Sequence, residues 1–374
     1  MKEWIELQKW QQDWLPSTNK PADFKDSIEK RLLLLERSPF VDRWSFTQAI
    51  QAVRTARYLL IQNFAYGFTN ELLLDSSIAS TPHLSRLLTL AQRGSGVFDA
   101  QRRFEALSLF DQALSVAKIE REDPLESIGH NLDQFIDLLS GSIFRNGYSK
   151  VKIYSYHDPE NEYEVPAGNV GVGKQLRRRG MSQKLHRLTC RQQKNKEIVF
   201  MHHRIKDPFK TWLKMQKQVM GTFRSEPYQI HDRCGLMFIV PRRKSVKIIA
   251  DKIMNLAIRN GAIICETFQS NYGKSEFVDP PNNASSSRYK VAKVCIHWNG
   301  HFIELQFMTF YDYFSSTRSL SDVNHELYKL KQSYQCFFPL IWPKEVYGID
   351  WNNGSIISQM TRWKKAQIGW CVKD

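Results

Sequence analysis

Apolar residues recur at intervals of three and four through residues 1–147. SIEKRLLLLERS, RWSFTQAIQAVRTARYLLIQNF, HLSRLLTLAQR, DAQRRFEALSLFDQALSVAK and NLDQFIDLLSGSIF each place their large apolar side chains on one side of a 3.6-residue period. Breaks fall at Ser38–Pro39, Thr81–Pro82, Gly94–Gly96 and Asp123–Pro124, where proline or glycine interrupts the helical pattern. The pattern predicts an all-helical N-terminal domain. It contains no fixed-period repeat and no catalytic constellation, which leaves regulation, docking or dimerisation as its role.

Residues 148–180 change character: YSKVKIYSYHDPENEYEVPAGNVGVGKQLRRRG alternates, turns at Asp158–Pro159 and becomes glycine-rich. Gly168 to Lys174 fits the GxxxxGK half of a phosphate-binding loop. Gln175 stands where that loop needs Ser or Thr, however, and Gly180 cuts the following helix short, so a linker is the better account.

From 181 the pattern predicts an α/β (α+β) domain on a mixed sheet. SQKLHRLTCRQQKNKE reads as a basic helix and IVFMHH as a strand. A short helix follows over 208–220, with Asp207 as N-cap, Pro208 in the first turn and Gly221 as stop. Phe209, Trp212, Leu213, Met215, Val219 and Met220 fall on one side of it, while Lys206, Lys210, Lys214 and Lys217 lie within about 80° of one another. YQIHDRCGLMFIVP ends in the continuous apolar run of a central strand, Gly235 to Val240. SVKIIADKIMNLAIRN is an amphipathic helix stopped by Asn260–Gly261, and AIICETF another strand. RYKVAKVCIHW and HFIELQFMTF are strands joined by the hairpin signal Asn299–Gly300. A last helix over 319–335 turns Leu320, Val323, Leu327 and Leu330 inward. Beyond it, 336–374 interleaves Phe337, Phe338, Trp342, Tyr347, Trp351, Trp363 and Trp370 with Arg362, Lys364 and Lys365. That composition suits single-stranded nucleic acid or a small packed appendage.

Composition sharpens this outline. A 374-residue chain with 42% hydrophobic and 12% aromatic residues is core-forming and long enough for two domains. No apolar run reaches membrane-spanning length, and MKEWIELQKWQQDW is charged and amphipathic rather than a signal peptide, so a cytoplasmic protein without a membrane partner is expected. Six cysteines lie far apart with no CxxC pair, which argues against a zinc site or a disulfide framework and for buried free thiols. The net charge of +15 is concentrated: from Gly171 to Arg224, 15 Lys/Arg face only Glu197 and Asp207. Such a patch attracts polyanions, either nucleotides or nucleic acid. A lysine comb on a helix is also what a solvated surface looks like.

Two acids are placed oddly for structural residues. Asp232 directly precedes a buried-looking strand. Glu304 and Gln306 share one face of a strand whose other face carries Ile303, Leu305 and Phe307. If those strands are neighbours, two carboxylates and nearby cations can hold a magnesium–triphosphate, and one carboxylate can accept a proton from an attacking hydroxyl.

Four motifs then fall in order. The run RIKDPFKTWLK from Arg204 to Lys214 resembles the RxKxPxSIxxK signature of the RelA/SpoT-type alarmone synthetase domain. Asp232-Arg-Cys-Gly235 before an apolar strand resembles that family's DxxGxR segment, Glu304-Leu-Gln306 its ExQ, and His325-Glu-Leu-Tyr328-Lys329 its closing helix. The resemblance covers about 182–335. It implies a nucleotidyltransferase-like fold and an ATP- and Mg²⁺-dependent pyrophosphokinase that moves the β,γ-pyrophosphate of ATP onto the 3′-hydroxyl of GDP or GTP, as a (p)ppGpp synthetase does. It implies that Arg204, Lys206, Lys210 and Lys214 hold ATP phosphates and that Asp232 and Glu304 serve the metal and catalysis. Tyr289, Lys293, Gln306 and His325 would hold the acceptor.

There are departures. Met237 stands where the DxxGxR arginine belongs, Lys210 where the signature has Ser, and Lys293 in the position of a family His. A lost arginine removes a charge-assisted contact of roughly 1.5–3 kcal/mol. Two alternatives follow: a toxin-like member that pyrophosphorylates the tRNA 3′ end, and a catalytically degenerate nucleotide- or RNA-binding regulator. The domains expected are therefore 1–147 helical, 148–180 linker, 181–335 synthetase-like and 336–374 tail, with no alarmone hydrolase constellation.

Overall fold

The computed structural model describes residues 9–19, 21–37, 43–72, 97–166, 168–173, 178–220, 232–270, 272 and 289–373. The expected helix HLSRLLTLAQR, the breaks at Ser38–Pro39, Thr81–Pro82 and Gly94–Gly96, and Lys174, Gln175, Gly221 and Arg288 lie outside them. A short helix at Trp14–Asn19 precedes α1 (Pro21–Arg37), α2 (Arg43–Phe64), α3 (Val97–Glu122) and α4 (Leu125–Ser142). Strands β1 (Ser149–His157), β2 (Val170–Val172), β3 (Ser182–Gln192) and β4 (Ile198–Ile205) follow. After these come α5 (Pro208–Met220), β5 (Cys234–Val240), α6 (Arg243–Arg259), β6 (Ile263–Ser270), β7 (Ala292–Trp298), β8 (His301–Thr309), α7 (Phe310–Arg318), α8 (His325–Gln332) and α9 (Gly354–Lys373), with short helical turns at Tyr66–Phe68, Thr69–Leu72, Ser333–Phe337, Phe338–Ile341 and Lys344–Tyr347. Among the described residues no helix is long and apolar enough to cross a membrane.

The chain folds into two compact units, each assembled from separate stretches. The first takes Met1–Pro124, Lys206–Ile230 and Gln332–Met360. Its centre is α3, buried over most of its length, against which the Trp14–Asn19 helix, α2 and α5 pack. Because polar residues of α3 are buried too, each must find a partner. Asp111 accepts from Arg31 (Nε 2.8 Å, Nη2 2.7 Å) and from Trp14 Nε1 (2.7 Å). Arg57 spans Gln112, Glu105 and Ser108. In α5 the capping expectation holds: the Lys210 backbone N–H donates to Asp207 Oδ1 at 2.8 Å, while Phe209, Trp212, Leu213 and Met215 are buried. The C-terminal aromatics of this unit pack rather than offer a stacking surface. Phe338, Trp342, Tyr347 and Trp351 are buried, and Trp351 donates to the Trp342 carbonyl at 2.7 Å.

The second unit takes Leu125–Ile205, His231–Lys331 and Thr361–Asp374. It is built on an eight-stranded sheet of order β2-β1-β3-β4-β5-β8-β7-β6. Only β5 and β8 run parallel among the pairings described; the others are antiparallel. Helices α4 and α6 cover one face, where Leu132, Phe135, Ile249 and Ile253 meet Leu236, Phe238, Leu305 and Phe307. The β7–β8 hairpin turns at Asn299 (φ 47°) and Gly300 (φ 87°), the two positive φ values a type I′ turn needs. Cys190, Cys234 and Cys295 are buried free thiols, but Cys265 is exposed.

Three expectations are corrected. Residues 182–192, read as a basic helix, are strand β3. Leu185 and Leu188 mimic a helical spacing, yet alternate residues Lys184, His186, Leu188 and Cys190 lie further from solvent than their neighbours, and β1 and β4 supply the hydrogen bonds. Nine residues of the expected linker form β1, inside the sheet. The last helix begins at His325 rather than 319, with Asn324 Oδ1 accepting from the Glu326 N–H at 2.8 Å, and residues 310–318 form a separate helix, α7.

The other face of the sheet carries a second core around Ile153, Cys190, Ile239, Met308, Phe310 and Phe314. Ser155 and His157 are fully buried, and the His186 ring stacks on Phe314 at 4.0 Å. The Tyr163 carbonyl only accepts, so His157 Nδ1 (3.0 Å away) carries the ring proton and its Nε2 accepts from the Ser155 hydroxyl at 2.8 Å. Ser155 Oγ then accepts from His186 Nε2–H at 2.7 Å. Burial, assisted by nearby cations including Arg318 and Lys184, pushes both histidines below their usual range, His186 to about 4. Between pH 6.5 and 4 the unfolded chain binds protons that the folded chain refuses, so stability falls as pH drops through that window, by on the order of 2–3 kcal/mol for His186. Urea denaturation across that window should show the loss. His186→Phe should lower stability at neutral pH and flatten the acid dependence.

Candidate active site

Strand register assembles a polar row on the face of the sheet opposite α4 and α6. Arg204 pairs with Gly235 across β4–β5, Gly235 with Glu304 across β5–β8, and Glu304 with Cys295 across β8–β7. Paired residues share a face, so the row continues from strand to strand, and His202, Met237, Gln306 and Lys293 form the next one.

Gly235 makes the first row possible. A Cβ at this position would lie 3.2 Å from Arg204 Nε and 3.4 Å from its Cγ. Without it, the arginine crosses over β5 and its Nη2 donates to Glu304 Oε2 at 3.1 Å. Gln306 Nε2 donates to the same oxygen at 2.6 Å. Among the described residues both of these contacts fall on Oε2. The Glu304 side chain is 15% exposed and that of Arg204 35%, so the pair is reached by solvent from one side.

Tyr289 lies beside this pair. Burial pushes its hydroxyl up to about 12, with Arg204 pulling the other way and Glu304 and Asp312 adding to the rise. It is therefore a neutral donor at any physiological pH. Asp232 stands two residues before β5, and its Oδ1 is buried with no hydrogen bond. His325 opens α8 and stacks on Tyr328 at 5.7 Å. Lys206, Lys210 and Lys214 belong to the first unit, where Lys210 is exposed and paired with Asp207 at 2.7 Å.

Asp312 escaped the sequence reading. It caps α7 with Thr309, whose Oγ1 accepts from the Asp312 N–H at 3.1 Å, and it accepts from the Tyr272 hydroxyl at 2.6 Å. Burial raises its carboxyl above the usual range while these hydrogen bonds pull it down. Thr309-Phe-Tyr-Asp312 matches the capping-box spacing, which was the available signal for α7. A cavity of about 60 Å³ beside it is lined by Lys290, Asp312, Ser315, Ser319 and Ser321 among others.

Among the described residues no group of three or more His, Cys, Asp or Glu side chains forms a metal cage. Mg²⁺ is ordinarily held by one or two carboxylates, with water and substrate phosphates completing the shell. Asp232 and Glu304 supply carboxylates of the kind that arrangement uses.

No protein-family model matches the chain, and no curated protein matches it. Among solved structures it is similar to the small alarmone synthetase 1 from Bacillus subtilis bound to its product pppGpp. The identity is 11%, over 47% of this chain and 80% of that one, with a TM-score of 0.23. A likeness of that size leaves the reading to this chain's own residues.

Proposed function

We propose that the chain is an ATP pyrophosphokinase of nucleotidyltransferase-like fold, transferring the β,γ-pyrophosphate of ATP to the 3′-hydroxyl of GDP or GTP. The observation that supports it is the Arg204–Gly235–Glu304 row: a cation on β4 and a carboxylate on β8 held 3.1 Å apart across the intervening strand β5. Glu304 accepts the proton of the ribose 3′-hydroxyl as its oxygen attacks the β-phosphorus. The bond from that phosphorus to the α,β-bridging oxygen breaks, and AMP leaves. Gln306 orients the Glu304 carboxylate. Arg204 moves from Glu304 to the phosphates when they bind, exchanging one anion for another. Tyr289, as a neutral ring beside the pair, holds the acceptor together with Lys293, Gln306 and His325. Asp232 and Glu304 would hold Mg²⁺, which supplies charge neutralisation to the triphosphate. Lys206, Lys210 and Lys214 keep the phosphate-binding role that their motif suggests, on sequence grounds alone.

The test is incubation of the protein with γ-³²P-labelled ATP and Mg²⁺, offering GDP, GTP and bulk tRNA separately. Label on a guanine nucleotide supports the proposal. Label on tRNA moves the same chemistry to the tRNA 3′ end. A catalytically silent nucleotide-binding regulator is favoured by one observation: Met237, in the position of the family's arginine, packs into the second core. ATP binding without transfer to any acceptor would select that reading.

Gly235→Ala tests the row directly. The new methyl group forces the Arg204 side chain aside by a few tenths of an ångström. ATP affinity should fall about tenfold, the equivalent of about 1.4 kcal/mol, with the melting temperature nearly unchanged. Isothermal titration and thermal denaturation read the two quantities separately.

A further inference from the structure

Strands β1 and β3 pair antiparallel over the whole length of β1, and their outward face repeats a simple order. Tyr148, just before β1, meets Arg191 of β3, Lys150 lies opposite Thr189, Lys152 opposite Arg187, and Tyr154 opposite Leu185. Lys150, Lys152, Arg187 and Thr189 are exposed, as is Leu185. Neither strand contains an acidic residue. Lys152 and Arg187 are like charges directly opposite each other, an arrangement that costs stability in an antiparallel pair. Among the described residues no carboxylate partners Lys150, Lys152 or Arg187.

One tyrosine flanks the cations at each end. Tyr148 is 63% exposed, with the Arg191 guanidinium 4.3 Å over its ring and donating to its hydroxyl at 2.7 Å. At the other end, Tyr154 neighbours Gly171 of the edge strand β2, which adds no side chain to the face. The result is a strip about 20 Å long, with a ring at each end and, among the described residues, unneutralised cations between. We propose that this face binds single-stranded nucleic acid, its phosphates at Lys150, Lys152 and Arg187 and its bases on the tyrosine rings. A phosphodiester backbone supplies the negative charge that the opposed cations lack, and exposed bases supply the stacking partners. The site is separate from the Arg204–Glu304 row, and its readout needs no turnover.

Fluorescence anisotropy of the full chain with labelled 12-nucleotide U-rich RNA and dT-rich DNA, from 50 to 200 mM salt, tests it. The triple variant Lys150→Gln, Lys152→Gln, Arg187→Gln should weaken binding at least tenfold and flatten the slope of log K against log salt by about 2, from about 0.7 for each lost phosphate contact. Removing opposed like charges relieves repulsion, so this variant should melt no lower than the parent. Tyr154→Ala should weaken binding about tenfold with the salt slope unchanged, which separates stacking from charge. A control triple of exposed α6 cations, Lys244→Gln, Lys247→Gln, Arg259→Gln, should leave binding as it was. Equal losses in both triples would reduce the effect to bulk charge and overturn the proposal. Duplex binding as tight as single-strand binding would also overturn it, as would loss of binding to phosphatidylserine vesicles with oligonucleotide binding intact.

Discussion

Glutamine in place of Glu304 is expected to reduce pyrophosphate transfer by about 10²- to 10⁴-fold while leaving ATP affinity within a few-fold of the parent. The substitution preserves shape and still offers an oxygen to Arg204 and Gln306, which reach Glu304 Oε2 at 3.1 and 2.6 Å. What it removes is the ability to take a proton and the anionic oxygen proposed for Mg²⁺, so the ATP affinities are compared without the metal. The ion pair to Arg204 is lost as well, but with the arginine side chain 35% exposed that pair contributes at most about 1 kcal/mol to stability, so the fold should melt nearly unchanged. Single-turnover transfer and equilibrium ATP binding measured on the same preparation separate chemistry from binding. A variant that transfers as fast as the parent would remove Glu304 from the base role. Arg204→Lys is the complementary variant: it keeps the charge but not the planar fork, and should weaken ATP binding more than it slows the bound complex.

Asp111→Ala is expected to destabilise the helical unit by about 3–5 kcal/mol. Asp111 sits inside α3 with no side-chain exposure and receives two bonds from Arg31 and one from Trp14. Truncation leaves the Arg31 guanidinium, itself 2% exposed, as a buried cation that among the described residues keeps the Ser27 and Trp10 carbonyls and the Trp10 ring but no anion. Loss of a bridging anion costs more than the net worth of the pair, because desolvation of the remaining charge is no longer offset. The double variant Asp111→Leu, Arg31→Met should recover most of the loss, since apolar side chains of similar volume need no partner. Urea denaturation followed by helical circular dichroism gives both numbers. A single-variant cost below about 1 kcal/mol would mean that the cluster is not the anchor its geometry suggests.

Much of the local structure was legible in the chain. Asp207 and Pro208 announced the start of α5, Asn299–Gly300 the hairpin, and the run from Gly235 to Val240 a strand buried on both faces, because each signal acts through a residue's own backbone preferences or its immediate neighbours. The order of Arg204, Gly235, Glu304 and Gln306 was legible too, as spacing. Strand β3 was not. Its inward set includes His186, whose polarity is satisfied by Ser155, 31 residues earlier, and a sequence cannot show that a distant hydroxyl will make a histidine acceptable in a core.

The sequence by itself determined where most helices and strands begin and end and which charged and polar residue types the chain carries. Only the tertiary structure decided their partners. It placed α5 and residues 332–360 with the N-terminal helices, and brought Gly235 beneath Arg204 so that the arginine reaches a carboxylate 100 residues away. It also turned Lys152 and Arg187 to one side of a strand pair. The physical reason is that backbone preference acts within a few residues, whereas strand register and buried ion pairs are fixed by contacts between residues far apart in the chain, which no local pattern encodes.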